Sequence, residues 1–144
     1  SSPGTIVFYS VGNHPLYRGR KRYGVHNASH TTPVLYKNYC NPKIKKTNTF
    51  TNGLKNVQWI STHRRLFGYF PDESDTRIKQ FNTDMKTYIQ HNCPTMGYID
   101  VYNMTDALVT DRYNESLTMT YDRVHWGYNV NLLKTSMILN KILL

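Results

Sequence analysis

Residues 74–92, SDTRIKQFNTDMKTYIQHN, place Ile78, Phe81, Met85, Tyr88 and Ile89 three or four positions apart. That spacing puts them on one face of a helix. Ser74 or Asp75 can cap its start, and CPTMG ends it. On either side lie short runs rich in β-branched and aromatic residues, NVQWIST (56–62) and YIDVYNM (98–104), which read as strands. A third such run, TIVFYSV (5–11), is broken by GNHP. Strands alternating with helices predict an α/β fold, a parallel sheet flanked by helices, with the three strands as neighbours in one sheet. TDALVTD is a short helix or turn and NESLTMTYDRVHWG a loop. Residues 128–143 are a last helix with Val130, Leu133, Met137 and Ile138 facing inward.

The 144 residues suffice for one domain, 1–144, with a modest core. Within it, about 17–56 holds no period and contains Pro33, Pro42 and Gly53. It is expected as a long basic irregular insertion with at most short helical turns, of a kind that often serves function. The chain opens SSPGTIVFYSVG, without Met and without a charged leader before an apolar core, so no signal peptide is visible. The abrupt start leads us to expect a piece of a longer polypeptide. No apolar run reaches the length of a membrane span.

The formal charge is +9 and the pI about 9.6. Positive residues cluster in YRGRKRY (17–23) and NPKIKKTN (41–48). Such clusters suit nucleic acid, acidic polysaccharide or an anionic surface, or are simply solvated loops. Nucleic acid is disfavoured, because no zinc-finger, basic-zipper or RNP pattern is present and the aromatics do not interleave with one basic stripe.

The stretch MTYDRVHWGY (119–128) sets Asp122 three residues before His125, in a turn just ahead of the last helix. A histidine base needs a partner on its far ring nitrogen, which fixes the tautomer and stabilises the imidazolium. One local turn here supplies both groups, and Trp126-Gly127 with the apolar helix behind anchors it. Ligands of a parallel sheet gather on loops at the carboxyl ends of its strands. GNH (12–14), THRR (62–65) and the Asp122–His125 turn can all reach that edge.

MTYDRVHWGYNVNLLKTSMILNKIL resembles the last block of the SGNH/GDSL hydrolases. Within them it resembles most the eukaryotic PC-esterase branch of carbohydrate O-acyl esterases and cell-wall O-acetyltransferases. VQWISTHRRL, IKQFNTDMKTYIQ with YIDVYNMT, and TIVFYSVGNHPL resemble internal segments of that family, so the likeness covers most of the chain outside 17–56. It implies that His125 is the base and Asp122 its orienting carboxylate. It also implies that the Gly12 N–H and the Asn13 amide are oxyanion donors. The loop departs from many members in carrying His14. No Gly-Asp-Ser block precedes the first strand, so the sheet is expected to be incomplete in this chain. The nucleophilic serine is expected from an upstream segment or a neighbouring subunit packed on the 5–11 strand. The expected activity is thus the C-terminal part of a serine esterase or O-acyltransferase acting on O-acylated carbohydrate, conditional on that segment. A non-catalytic SGNH-like element of an extracellular glycoprotein is the alternative, and a polyanion binder using the basic loop is the second. No cofactor is called for.

Other residues have plainer readings. Ser61 and His63 could be paired as nucleophile and base, but a Ser and a His at a strand end are weak evidence for such a pair, and we do not expect one here. The six histidines lack metal-ligand spacing on a regular element, His26 and His30 falling in a loop. Tyr17, Tyr23, Tyr36 and Tyr39 fit the packing of a polar insertion better than a sugar platform, and Trp59 and Trp126 fit the core. Cys40 and Cys93 form either one disulfide or two buried free thiols. Asn27, Asn103 and Asn114 each begin an N-x-S/T triplet. Together with the even cysteine count they suggest a secreted or lumenal glycoprotein. In the secreted protein, intact-mass measurement before and after deglycosylation should show sugar on at least one of the three; no mass loss, together with two buried free thiols, would place the chain in a reducing compartment.

Overall fold

The structure is a computed structural model and describes residues 6–11, 27–41, 43, 57–64, 71–110 and 126–143. At 71–74, 109, 110 and 142 it describes the backbone alone. Three strands, β1 (Val7–Tyr9), β2 (Val57–Ile60) and β3 (Met96–Ile99), form a parallel sheet in the order β1-β2-β3. The expected α/β arrangement and strand neighbours are therefore present. Val7, Val57 and Met96 stand side by side, as do Phe8, Gln58 and Gly97, and Tyr9, Trp59 and Tyr98.

The pleat sends Val57 and Trp59 to one face and Gln58 to the other, and all three are buried. A central strand covered on both faces is what helices flanking a parallel sheet require. Gln58 is accommodated because its register neighbour is Gly97, where any Cβ would collide with the Gln58 amide. The Trp59 face is covered by α2 (Pro71–Asn92). Its Ile78, Phe81, Met85 and Ile89 are buried, as the helical spacing predicts, with Tyr88 half-buried beside them. Each such side chain contributes about 1.5–3 kcal/mol by leaving water.

Four sequence expectations need correction. The helix begins at Pro71, so Ser74 and Asp75 lie inside it and do not cap it. The third strand ends at Ile99, and Val101–Thr110 form helix α3, which absorbs most of the segment read as strand. The cause is Asp100, whose Oδ1 accepts the Asn103 N–H at 3.0 Å and caps the new helix. The last helix, α4 (Tyr128–Leu143), buries Val130 and partly covers Met137 and Ile138, but Leu133 is 44 % exposed.

The fourth correction concerns the insertion. Its described part is helical: α1 (Ala28–Leu35) runs into a π-helical turn, Tyr36–Cys40. Thr31, Thr32, Pro33 and Val34 are poor helix formers, so propensity gives no hint of it. The local signal is a capping box. Asn27 Oδ1 accepts the Ser29 N–H at 3.0 Å, and His30 Nδ1 accepts the Asn27 N–H at 3.1 Å. Tertiary anchoring completes it. Leu35 is fully buried, and Cys40 is bonded to Cys93 at the end of α2 with Cα atoms 4.6 Å apart. Of the two readings of the cysteines, the disulfide is the one realised, and Tyr39 packs edge-on against Tyr9 beside it.

Among the described residues no helix is long and apolar enough to cross a membrane. The disulfide closes a loop with a sequence separation of 53. Reduction, or replacing both Cys40 and Cys93 by Ser, should lower unfolding free energy by about 3–4 kcal/mol in urea titrations. An unchanged midpoint would show that α1 is held without the bond.

Candidate functional site

The chain leaves all three strands at the same edge of the sheet, as parallel pairing demands. Ser10 and Val11 follow β1, residues 61–64 follow β2, and Asp100 follows β3. The segment after β2 is the centre of the arrangement. Ser61 extends the ladder by donating its N–H to the Ile99 carbonyl at 3.0 Å. Thr62 donates its hydroxyl to the Val11 carbonyl at 2.6 Å, which fixes the end of β1. Asn82 of α2, buried, grips Thr62 twice: its Oδ1 accepts the Thr62 N–H at 2.9 Å and its Nδ2 donates to the Thr62 carbonyl at 2.8 Å. Arg64 donates its N–H to Thr105 Oγ1 of α3 at 2.8 Å, and its carbonyl accepts the Trp126 indole N–H at 2.9 Å.

The Arg64 side chain sits among carboxylates. It pairs with Asp106, and its Nε lies 3.6 Å from Asp75 Oδ1. Burial works against the guanidinium charge, but Asp106 and Asp75 outweigh it and raise the Arg64 pKa further. Asp75 moves the other way for a carboxylate at an ion pair. Burial dominates and raises its pKa, although Arg64 and the Tyr102 hydroxyl both favour the anion. The partner that carries Arg64 is therefore Asp106. Tyr102 donates to both Asp75 oxygens at 3.2 and 3.3 Å, and burial followed by the Asp75 charge pushes its own pKa up.

Against this edge lies a cleft of about 440 Å³, lined from β1 by Ser10 and Val11, from β2 by residues 60–63, and from α4 by Asn131, Lys134, Thr135 and Ile138. Asn131 is oriented by donating its Nδ2 to the Trp126 carbonyl at 2.9 Å. Trp126 is itself buried with Val130, and Leu108 packs against them. Lys134 is half-buried and has no acidic partner among the described residues. Burial alone lowers its pKa from the ordinary 10.5.

Of the residues singled out in the sequence, Asp122, His125, Gly12, Asn13 and Asn114 lie outside the described residues, as do 17–23 and most of 41–48. Their neighbours are placed. Val11, which precedes Gly12, and Trp126, which follows His125, are both hydrogen-bonded to residues 62–64. Ser61 is buried and its Oγ accepts the Tyr102 N–H at 2.9 Å, so it serves the fold. Asn27 and Asn103 are exposed, but Thr105 of the second triplet is buried and holds Arg64. Among the described residues no three His, Cys, Asp or Glu side chains are grouped to hold a metal.

Sequence reasoning passed over Asn82 and Lys134. Each breaks an apolar helix face at an inward position, and that break was the signal. The Lys134 ammonium, without an acidic partner among the described residues, makes a directional prediction. An amine with a lowered folded-state pKa destabilises the fold while it is charged, and the penalty fades as pH rises from that pKa toward 10.5. Lys134→Met should therefore raise the urea midpoint at neutral pH, with the gain shrinking at high pH; a pH-independent or negative effect would contradict it. Compared with protein-family models, curated proteins and solved structures, the chain matches none.

Proposed function

We infer that this chain is the base-bearing part of a secreted or lumenal SGNH-like esterase or O-acyltransferase acting on O-acylated carbohydrate. One observation carries the reading: the residues adjoining both candidate catalytic loops, Val11 and Trp126, are tied to one short segment at the carboxyl edge of the sheet. A cleft opens there, in the place where parallel sheets hold ligands. The disulfide and the exposed Asn27 and Asn103 agree with an oxidising compartment.

In this reading a serine hydroxyl reaches the cleft from a segment packed along β1. β1 is an edge strand among the described residues, and Phe8 on it is 42 % exposed; chains normally cover such an edge. The serine Oγ attacks the ester carbonyl while His125 takes its proton and Asp122 holds the imidazole. Gly12 and Asn13 receive the oxyanion. The sugar hydroxyl leaves with the proton from His125, and water or a second sugar hydroxyl then takes the acyl group from the serine.

The test uses the product of the whole gene and an O-acetylated oligosaccharide. His125→Ala should lower acetate release by roughly a thousandfold or more with the circular dichroism spectrum unchanged. Undiminished release in that variant would remove the base assignment. An inactive but folded wild type would leave the domain as an element of an extracellular glycoprotein.

A further inference from the structure

We propose that the cleft binds an acidic sugar, with Lys134 taking the carboxylate of a uronate residue. The proposal rests on the reading of the cleft as the place where an O-acylated carbohydrate is held, and it names the class of that carbohydrate.

Three observations carry it. Lys134 lines the cleft from α4, half-buried, with no acid beside it among the described residues. An ammonium removed from water without a counter-charge is unfavourable, and a ligand carboxylate would supply the missing charge. The surroundings suit a sugar. Ser10, Asn131 and Thr135 bring hydroxyl and amide groups, while Val11, Ile60 and Ile138 give an apolar wall for a ring face or an acyl methyl. Lys134, with the His63 imidazole as the one other basic group of the described walls, matches a carboxylate monoanion; the Arg and Lys clusters that usually surround a phosphate are not among the described lining residues. Finally, the chain carries a formal charge of +9, which attracts a polymer bearing many carboxylates and falls off with salt. The lowered Lys134 pKa has the same origin as the geometry, burial without a partner.

The probes are trigalacturonate, its full methyl ester and free acetate, with calorimetric binding to the whole-gene protein at low salt. Wild type should bind trigalacturonate about tenfold or more tightly than the ester, which has the same shape without the charge. Lys134→Met should erase that preference, and Lys134→Arg, which keeps the charge, should retain most of it. Acetate at the same carboxylate concentration should not compete, which separates a sugar-borne carboxylate from the acid released by hydrolysis. Equal binding of acid and ester by wild type, or an undiminished preference in Lys134→Met, would overturn the proposal; the latter is expected if the lysine only lays its stem on the wall and keeps its head in solvent. The same Lys134 dependence for a single-stranded oligonucleotide of matched charge would overturn it too. A protein that releases no acetate from neutral or from uronate-containing O-acetylated oligosaccharides, yet shows the Lys134-dependent preference, supports this binding site while removing the esterase reading.

Discussion

When β2 leaves the sheet after Ile60, the chain passes through a buried region where, beyond the Ser61 N–H, the ladder no longer pairs its backbone groups. Unpaired buried N–H and C=O groups are rare because each forfeits its hydrogen bonds to water. Here Ile99 and Thr105 accept the N–H groups of Ser61 and Arg64, Asn82 answers both backbone groups of Thr62, and Trp126 donates to the Arg64 carbonyl. Those partners come from β3, α2, α3 and the entry to α4. Satisfying one short segment therefore docks every described element that follows it, and the Thr62 hydroxyl extends the tie to the end of β1.

The same requirement shapes the charges at this edge. Arg64 is held by Asp106 and approached by Asp75, and Tyr102 steadies the second carboxylate, so the cluster is closed in charge, although the buried Arg64 Nε has no hydrogen-bond partner among the described residues. Its role is to hold the segment in place, chiefly through the Arg64–Asp106 pair and the Tyr102–Asp75 hydrogen bonds. Lys134, on the other side of the cleft, has no such closure among the described residues. Two cations at one sheet edge thus differ in kind: Arg64 is neutralised by Asp106, while Lys134 meets no acid among the described residues.

Helix α1 with its π-helical turn, packed at the end of α2, is held differently. Its sequence has weak helix formers and a proline, and its stability comes from the buried Leu35, the aromatic contact of Tyr39 with Tyr9, and the Cys40–Cys93 bond. A segment with little intrinsic preference takes the conformation its anchors allow. The bond also brings the insertion against the same sheet face as α2, through Tyr9 and Trp59, which stack at 5.9 Å.

What the sequence determined by itself was whatever rests on periodicity. The face of α2, the three strands and their parallel order follow from apolar spacing and from the crossover that helices impose, and Asp-x-x-His remains legible because it is local. Its consequences for chemistry rest on residues beyond those the structure describes. The tertiary structure decided what depends on partners distant in the chain. Asp100 ends a strand that local propensity would continue, since one cap outweighs a few tenths of a kcal/mol per residue. Asn82 is an ordinary polar residue on a helix until it meets Thr62, twenty residues away. Ser61, a candidate nucleophile by type, becomes a backbone acceptor once Tyr102 lies beside it. Lys134 shares its helix with Lys141, and only the packing of α4 against the strand ends leaves the first half-buried and the second exposed. Burial and pairing are properties of the assembled chain, and the burial and pairing of a side chain set its charge and its reactivity.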